Sequence, residues 1–367
     1  MNTANFDDPV FGVIRMLLLA ASSSILAMIL APFLIKFLNK INFCKKNART
    51  KTIDGKDAEF VNSINKDNEV SVPRGGGVLI WGTVLIVTAF FYLLSFVGDP
   101  WWFKEFNFFS RNQTWLPLFT LVAASILGLV DDALTVYGKG KYIGGGLSFW
   151  RRLAVVSIIG LVGGWWFYNN LGHATIHFPL LFNFPEGANI SIGIFFIPLF
   201  VFVMLASWAG GVIDGIDGLS GGVFASIFGA FTIISFAQGS YDLAAFCAII
   251  CGTLFAFLWF NIPPAKFYMG ETGSLGLTST MAVIAFLTDS VTVLPIIAGL
   301  LVIEVGSIIL QLLSKKIRHK KIWIATPIHH HFQAKGWHSC QVTMRFWIIG
   351  IVLAILGTVL RLMSILK

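Results

Sequence analysis

Long apolar runs, separated by short polar connections, constrain this chain more than any other feature of its 367 residues. About 20 consecutive apolar residues suffice to cross the hydrocarbon core of a bilayer as a helix. In lipid the backbone must satisfy its own hydrogen bonds, so helices are what such runs form. Runs of this kind fall at 10–38, 75–98, 115–130, 153–171, 190–212, 219–238, 243–260, 274–288, 291–313 and 346–366. The composition agrees, with 56% hydrophobic and only 12% charged residues and a mean hydropathy of +0.80, outside the range of soluble domains. The expectation is an all-α membrane protein, a single polytopic domain over 1–367 with about ten transmembrane helices. Its first run follows Asp7 and Asp8 rather than a basic segment and is too long for a signal-peptide core, so it reads as a retained span.

The formal charge of +8 could suggest a nucleic-acid ligand, but its distribution argues for topology instead. The connections 39–74, 131–152, 213–218, 261–273 and 314–345 carry 20 of the 26 Lys and Arg residues. Arg15, Lys104, Arg111, Arg361 and Lys367 fall on the other side, and Lys36 sits near the end of the first run. Basic residues mark the cytoplasmic side, which places those five connections inside and both termini on the periplasmic side. Cys247 and Cys251 are helical neighbours in one apolar run, and Cys44 and Cys340 fall on the cytoplasmic side, so no disulfide framework is expected.

The polar chemistry collects on that same face, although the spans were assigned without reference to it. Asp131 and Asp132 are adjacent carboxylates at the exit of the third run. Such neighbours repel unless a cation or a proton relieves them, and hard oxygen ligands suit Mg²⁺. Asp214 and Asp217 stand in the Gly-rich connection Asp214-Gly215-Ile216-Asp217-Gly218. A third segment, from Asn261 to Ser274, offers an amide, the Lys266 ammonium and the Glu271 carboxylate at an expected helix N-terminus, a place suited to phosphate. Arg74 precedes three glycines at the entry of the second run, and His329, His330 and His331 follow Thr326-Pro327-Ile328. A solvated loop would explain any one of these. Together they describe a site for a divalent cation and phosphates, where transfer needs positioning and charge neutralisation more than covalent chemistry. Glu304, about 15 Å of helix rise inside the ninth run, is an intramembrane acid that reads as a functional or a hydrogen-bonded structural group.

The segment Thr326-Pro327-Ile328-His329-His330-His331-Phe332, continuing through Lys335-Gly336-Trp337 to Arg345-Phe346-Trp347, resembles the polyprenyl-phosphate N-acetylhexosamine-1-phosphate transferase superfamily, and within it the phospho-N-acetylmuramoyl-pentapeptide transferase branch. Asp131-Asp132, Asp214 to Gly218 and Asn261 to Ser274 are similar to superfamily motifs. The resemblance implies transfer of phospho-MurNAc-pentapeptide from a UDP-linked donor to undecaprenyl phosphate, with Mg²⁺ as cofactor, at the bacterial inner membrane. It implies Asp131, Asp132 and Asp214 as catalytic, and Glu271, Asp214 and Asp131 as metal ligands. Arg74, Asn261, Lys266, Asp217, His329, His330 and His331 then bind substrate. A homodimer is the assembly considered, and no nucleic-acid partner is expected. The chain departs from the branch pattern at Glu69, Arg74, Thr135, Gly211 and Glu271, with Arg74, Lys139 or Lys141 as candidates for the missing positive charge. Another branch of the superfamily, using UDP-GlcNAc or a related donor, is the alternative. A secondary transporter fits less well, because transporters place their acids near the midplane of internal repeats.

Overall fold

In the computed structural model, residues 9–44, 72–97, 101–110, 113–138, 146–179 and 186–365 are described. Glu69, Lys139, Lys141 and parts of the connections 39–74 and 131–152 lie outside them. The helices run in the order α1 (Pro9–Lys40), α2 (Gly77–Leu94), α3 (Trp101–Glu105), α4 (Trp115–Val136), α5 (Phe149–Asn170), α6 (Phe196–Ala209), α7 (Leu219–Ala237), α8 (Tyr241–Asn261), α9 (Gly270–Leu287), α10 (Leu294–Ile297), α11 (Gly299–Arg318), α12 (Ile328–Ala334) and α13 (Ser339–Met363).

Among the described residues, eight helical segments are long and apolar enough to cross a membrane: α1, α2, α4, α5, the segment 193–213 that contains α6, α7, α8 and α13. The two other long helices are α9 and α11. Glu271 and a series of serines and threonines dilute the hydropathy of α9, and Glu304, Gln311, Lys315, Lys316 and Arg318 that of α11. Nearly all of α9 is buried against neighbouring helices, so Thr278 and Thr280 can return their hydroxyls to Ser274 O and Gly276 O instead of meeting lipid.

The described residues are mostly helical, as expected, with one short hairpin besides. Thr175–Phe178 (β1) pairs antiparallel with Ala188–Ser191 (β2), Thr175 opposite Ser191 and Phe178 opposite Ala188. This hairpin takes the start of the expected span 190–212, which becomes helical only from Gly193. The expected span 291–313 is also broken, its chain turning at Ala298 between α10 and α11.

α7, α8 and α9 form the centre, buried along most of their length, whereas α1, α5 and α13 bury one stripe each. The stripe of α1 is Leu19, Ser23, Ala27 and Ala31, spaced four residues apart on one helix face. Small residues let membrane helices approach until backbones touch. Here a methyl on Gly252 of α8 would lie 2.1 Å from Ala20 O, and the Ser23 hydroxyl donates across to Ile249 O at 3.0 Å. Cys247 and Cys251 pack in this apolar centre, as their spacing predicts.

Candidate active site

The site is organised around the first turn of α9. A helix N-terminus presents unpaired N–H groups, and here the protein supplies its own anions to them. Asp132 accepts from Glu271 N–H at 3.2 Å and Thr272 N–H at 2.9 Å, and Asp214 accepts from Gly270 N–H at 3.0 Å and the Ser220 hydroxyl at 2.9 Å. The N-terminus expected to receive a phosphate is therefore capped internally. Asp132 is fully buried, with the Arg74 guanidinium 3.8 Å away. Burial pushes the Asp214 carboxyl above the usual carboxylate range, against the pull of the Ser220 hydroxyl, Arg74 and the Gly270 N–H.

Two glycines make this turn accessible to its partners. A methyl on Gly77 of α2 would lie 2.1 Å from Gly273 N, and one on Gly128 of α4 would lie 2.2 Å from Glu271 O. Both contacts are backbone against backbone. The glycine-rich entry of the second run thus serves helix packing as well as the turn at Gly75, whose φ is 89°.

Asp131 faces the other way along the same turn. Its Oδ1 accepts from Leu147 N–H, and its Oδ2 lies 2.7 Å from Nη2 of Arg152. Arg152 also places Nη1 2.8 Å from Glu271 Oε1, so one guanidinium bridges the two carboxylates. The sequence reading missed this arginine, counting it only toward topology. Its position was nevertheless readable, because the buried stripe of α5 runs Val156, Gly160, Gly164 and Phe167, and Arg152 lies one turn before it. Arg151 is exposed.

The histidine run forms the short helix α12, where three consecutive residues must point in different directions. Only His329 is fully buried, its Nδ1 3.0 Å from Glu304 Oε2, and this is the partner of the intramembrane acid. Its Nε2 has no hydrogen-bond partner and sits over the loop of Asp214, where a methyl on Gly215 would approach it to 2.5 Å. His330 bonds Gln333 through Nδ1 at 2.7 Å with its ring 4.2 Å from that of His329. His331 accepts from Ile324 N–H at 3.3 Å, and burial with the nearby Lys335 charge lowers its pKa.

Asn261 is a buried brace. Its Oδ1 accepts from Gly218 N–H at 3.0 Å and its Nδ2 donates to Phe267 O at 2.9 Å, tying the two polar loops together. Asp217 accepts from Ala265 N–H at 3.1 Å between the same loops, and burial raises its carboxyl. Lys266 is exposed, 5.7 Å from the Phe260 ring centroid. The structure thus brings Asp131, Asp132, Asp214, Glu271, Arg74 and Arg152 together, sets His329 and His330 against the Asp214 loop, and gives Asn261 and Asp217 loop-bracing contacts.

These six central side chains, all ionised, carry two more negative than positive charges. One divalent cation would neutralise that excess. The buried Asp131 Oδ2 lies 2.7 Å from Arg152, and a carboxylate oxygen so paired keeps a second lone pair that a cation can use. Glu271 is the electrostatic neighbour that Asp131, Asp132 and Asp214 share. Among the described residues no three His, Cys, Asp or Glu side chains form a closed metal cage. Mg²⁺ is commonly bound without one, through one or two carboxylates with water and substrate phosphate completing its shell. The donor set fits such an ion.

Carboxylates, arginines and histidines thus gather at one end of a bundle whose helices are long and apolar enough to cross a membrane. Residues 114–289 match the family model described as glycosyl transferase family 4. The chain is 31% identical to a phospho-N-acetylmuramoyl-pentapeptide-transferase of Anoxybacillus flavithermus over 92% of its length and 95% of that protein. Identity to the same-named proteins is 32% in Halalkalibacterium halodurans, covering 94% and 97% of the two chains, and 35% in Pelagibacter ubique, covering 82% and 84%. The chain belongs to the phospho-N-acetylmuramoyl-pentapeptide-transferase family and is a phosphoglycosyl transferase.

Proposed function

We propose that the protein transfers phospho-MurNAc-pentapeptide from its UDP-linked donor to undecaprenyl phosphate, giving lipid I and UMP. The observation that carries this reading is the Arg152 bridge between Asp131 and Glu271, beside the doubly capped turn of α9. An oxygen of the lipid phosphate attacks the sugar-linked phosphorus of the donor, and the bond from that phosphorus to the bridging oxygen breaks to release UMP. Asp131 receives the proton of the acceptor phosphate or orients it. Arg152 and Arg74 offset charge on the phosphates, and His329 and His330, set against the Asp214 loop, line the nucleotide side with Lys266 and the braced loop of Asp217 and Asn261, while His331 turns away toward Ile324. Mg²⁺, held by Glu271 and Asp131 with Asp214 adjacent, would supply further charge neutralisation at the transferred phosphate.

In this reading ten helices cross the bacterial inner membrane, α9 and α11 included, with the termini periplasmic and the site cytoplasmic. Purified protein with Mg²⁺ and undecaprenyl phosphate is expected to release UMP from UDP-MurNAc-pentapeptide faster than from UDP-GlcNAc, with EDTA stopping release. Asp131→Asn should abolish turnover while Cys247→Ala retains it. UMP release from neither donor would sink the proposal.

A further inference from the structure

The end of α11 carries a feature the transfer reaction does not use. Lys315, Lys316, Arg318, Lys320 and Lys321 cluster within seven residues, and no Asp or Glu occurs anywhere from 305 to 367. At His319 the backbone adopts a left-handed conformation, φ 56°, and the chain reverses. The returning segment is tied to α11 by side chains. Gln311 Oε1 accepts from Ile322 N–H at 2.8 Å and Trp323 N–H at 3.1 Å, and its Nε2 donates to Trp323 O at 2.8 Å. The Ser314 hydroxyl donates to Lys320 O at 2.9 Å.

This fold-back has two chemical zones. At its tip Lys316, Arg318, Lys320 and Lys321 are exposed. Just behind them exposed Ile322 (47%) and Ile324 (52%) lie level with the exposed Ile309, Leu310 and Leu313 of α11. An apolar collar beneath a cationic tip matches the layering of a bilayer surface, acyl chains beneath phosphates. Basic clusters immediately cytoplasmic of a membrane helix bind anionic headgroups.

We infer that residues 315–324 form a docking surface for anionic phospholipid of the cytoplasmic leaflet. Charge complementarity selects this occupant, because the surface offers only cations and an apolar edge. The inference rests on the membrane placement of α11 given with the proposed function, and lipid quenching and UMP release are read separately, so either can fail alone.

The test uses full-length protein in phosphatidylcholine nanodiscs, with Trp323 fluorescence isolated by subtracting a Trp323→Phe variant. Dibrominated phosphatidylglycerol at low mole fraction should quench Trp323 as though enriched about fivefold or more locally, the scale set by one cation near a charged surface. Dibrominated phosphatidylcholine should quench only to its bulk fraction. The K316Q/R318Q/K320Q/K321Q variant should bring phosphatidylglycerol down to its bulk value while UMP release persists. Gln311→Ala, which keeps every cation but unties the fold-back, should also lower the enrichment. Equal quenching by the two lipids, or enrichment that survives in the quadruple variant, would overturn the inference. So would displacement of phosphatidylglycerol by millimolar inorganic phosphate, which would assign the cations to a soluble anion.

Discussion

Gly128→Ala tests how tightly the chemistry depends on backbone contact. The added methyl would stand 2.2 Å from Glu271 O, 2.5 Å from Glu271 C and 2.7 Å from Thr272 Cα. Ordinary contact begins near 3.4 Å, so the first turn of α9 must retreat by roughly 1 Å. All three obstructing atoms are backbone, and no rotamer change relieves them. Overpacking of this kind costs about 1–3 kcal/mol. The larger consequence is local, because the same turn carries Glu271, 2.8 Å from Arg152, and the N–H groups that Asp132 accepts. A displacement of about 1 Å at a reacting centre lowers the rate about 100-fold. UMP release by Gly128→Ala should therefore fall about 100-fold, with only a modest drop in melting temperature. Gly82→Ala is the control, since a methyl there meets nothing within 4 Å and should stabilise α2 by about 0.5–1 kcal/mol. A Gly128→Ala enzyme with kcat within twofold of the parent would refute the packing argument.

Arg152→Lys should retain less than about a tenth of the activity, because an ammonium is a point charge that cannot reproduce the fork spanning Asp131 and Glu271. Manganese titration by electron paramagnetic resonance provides a second readout, and unchanged binding and rate would remove Arg152 from the site. His329→Ala leaves a buried Glu304 oxygen without its hydrogen-bond partner and should lower stability by about 1–3 kcal/mol, whereas His330→Ala should melt close to the parent; equal melting temperatures would contradict the inward assignment of His329. The raised Asp214 carboxyl makes a signed prediction for pH. Its contribution to stability is fully present below the unfolded carboxylate pKa and is lost as pH rises through the higher folded value. The melting temperature of the parent relative to Asp214→Asn should therefore decline as pH rises from the unfolded carboxylate pKa through the folded one, and a constant difference across that range would show no such shift.

Much of this arrangement was legible because helices repeat. On α4 the buried positions Leu121, Ala124, Ser125, Gly128, Asp131, Asp132 and Thr135 form one stripe, so the acid pair had to face the bundle. The apolar runs located most helices for the same reason. The roles of the acids were not legible in that way. Asp132 and Asp214 also accept from N–H donors in the turn of Gly270, Glu271 and Thr272, and no local pattern reports a partner so distant. Gly77 likewise reads as a helix-entry glycine, and Gly128 as one residue of an apolar run, until their backbone neighbours are known. The hairpin escaped because its four-residue strands adjoin an apolar run that dominates the pattern. The departures from the branch pattern named Arg74, Lys139 and Lys141 as candidates for positive charge near the acids; Arg74 does stand 3.8 Å from Asp132, the two lysines lie outside the described residues, and the bridging Arg152 went unread.

The two caps on α9 also fix an order of assembly. Asp132 and Asp214 emerge from the ribosome well before Gly270, so during synthesis both carboxylates are threaded toward a membrane in which their N–H donors do not yet exist. Fragments that stop short of α9 leave two stranded acids at the bilayer edge. Splitting the protein into separately expressed halves would succeed only where the cut leaves the acids and the α9 turn free to meet again.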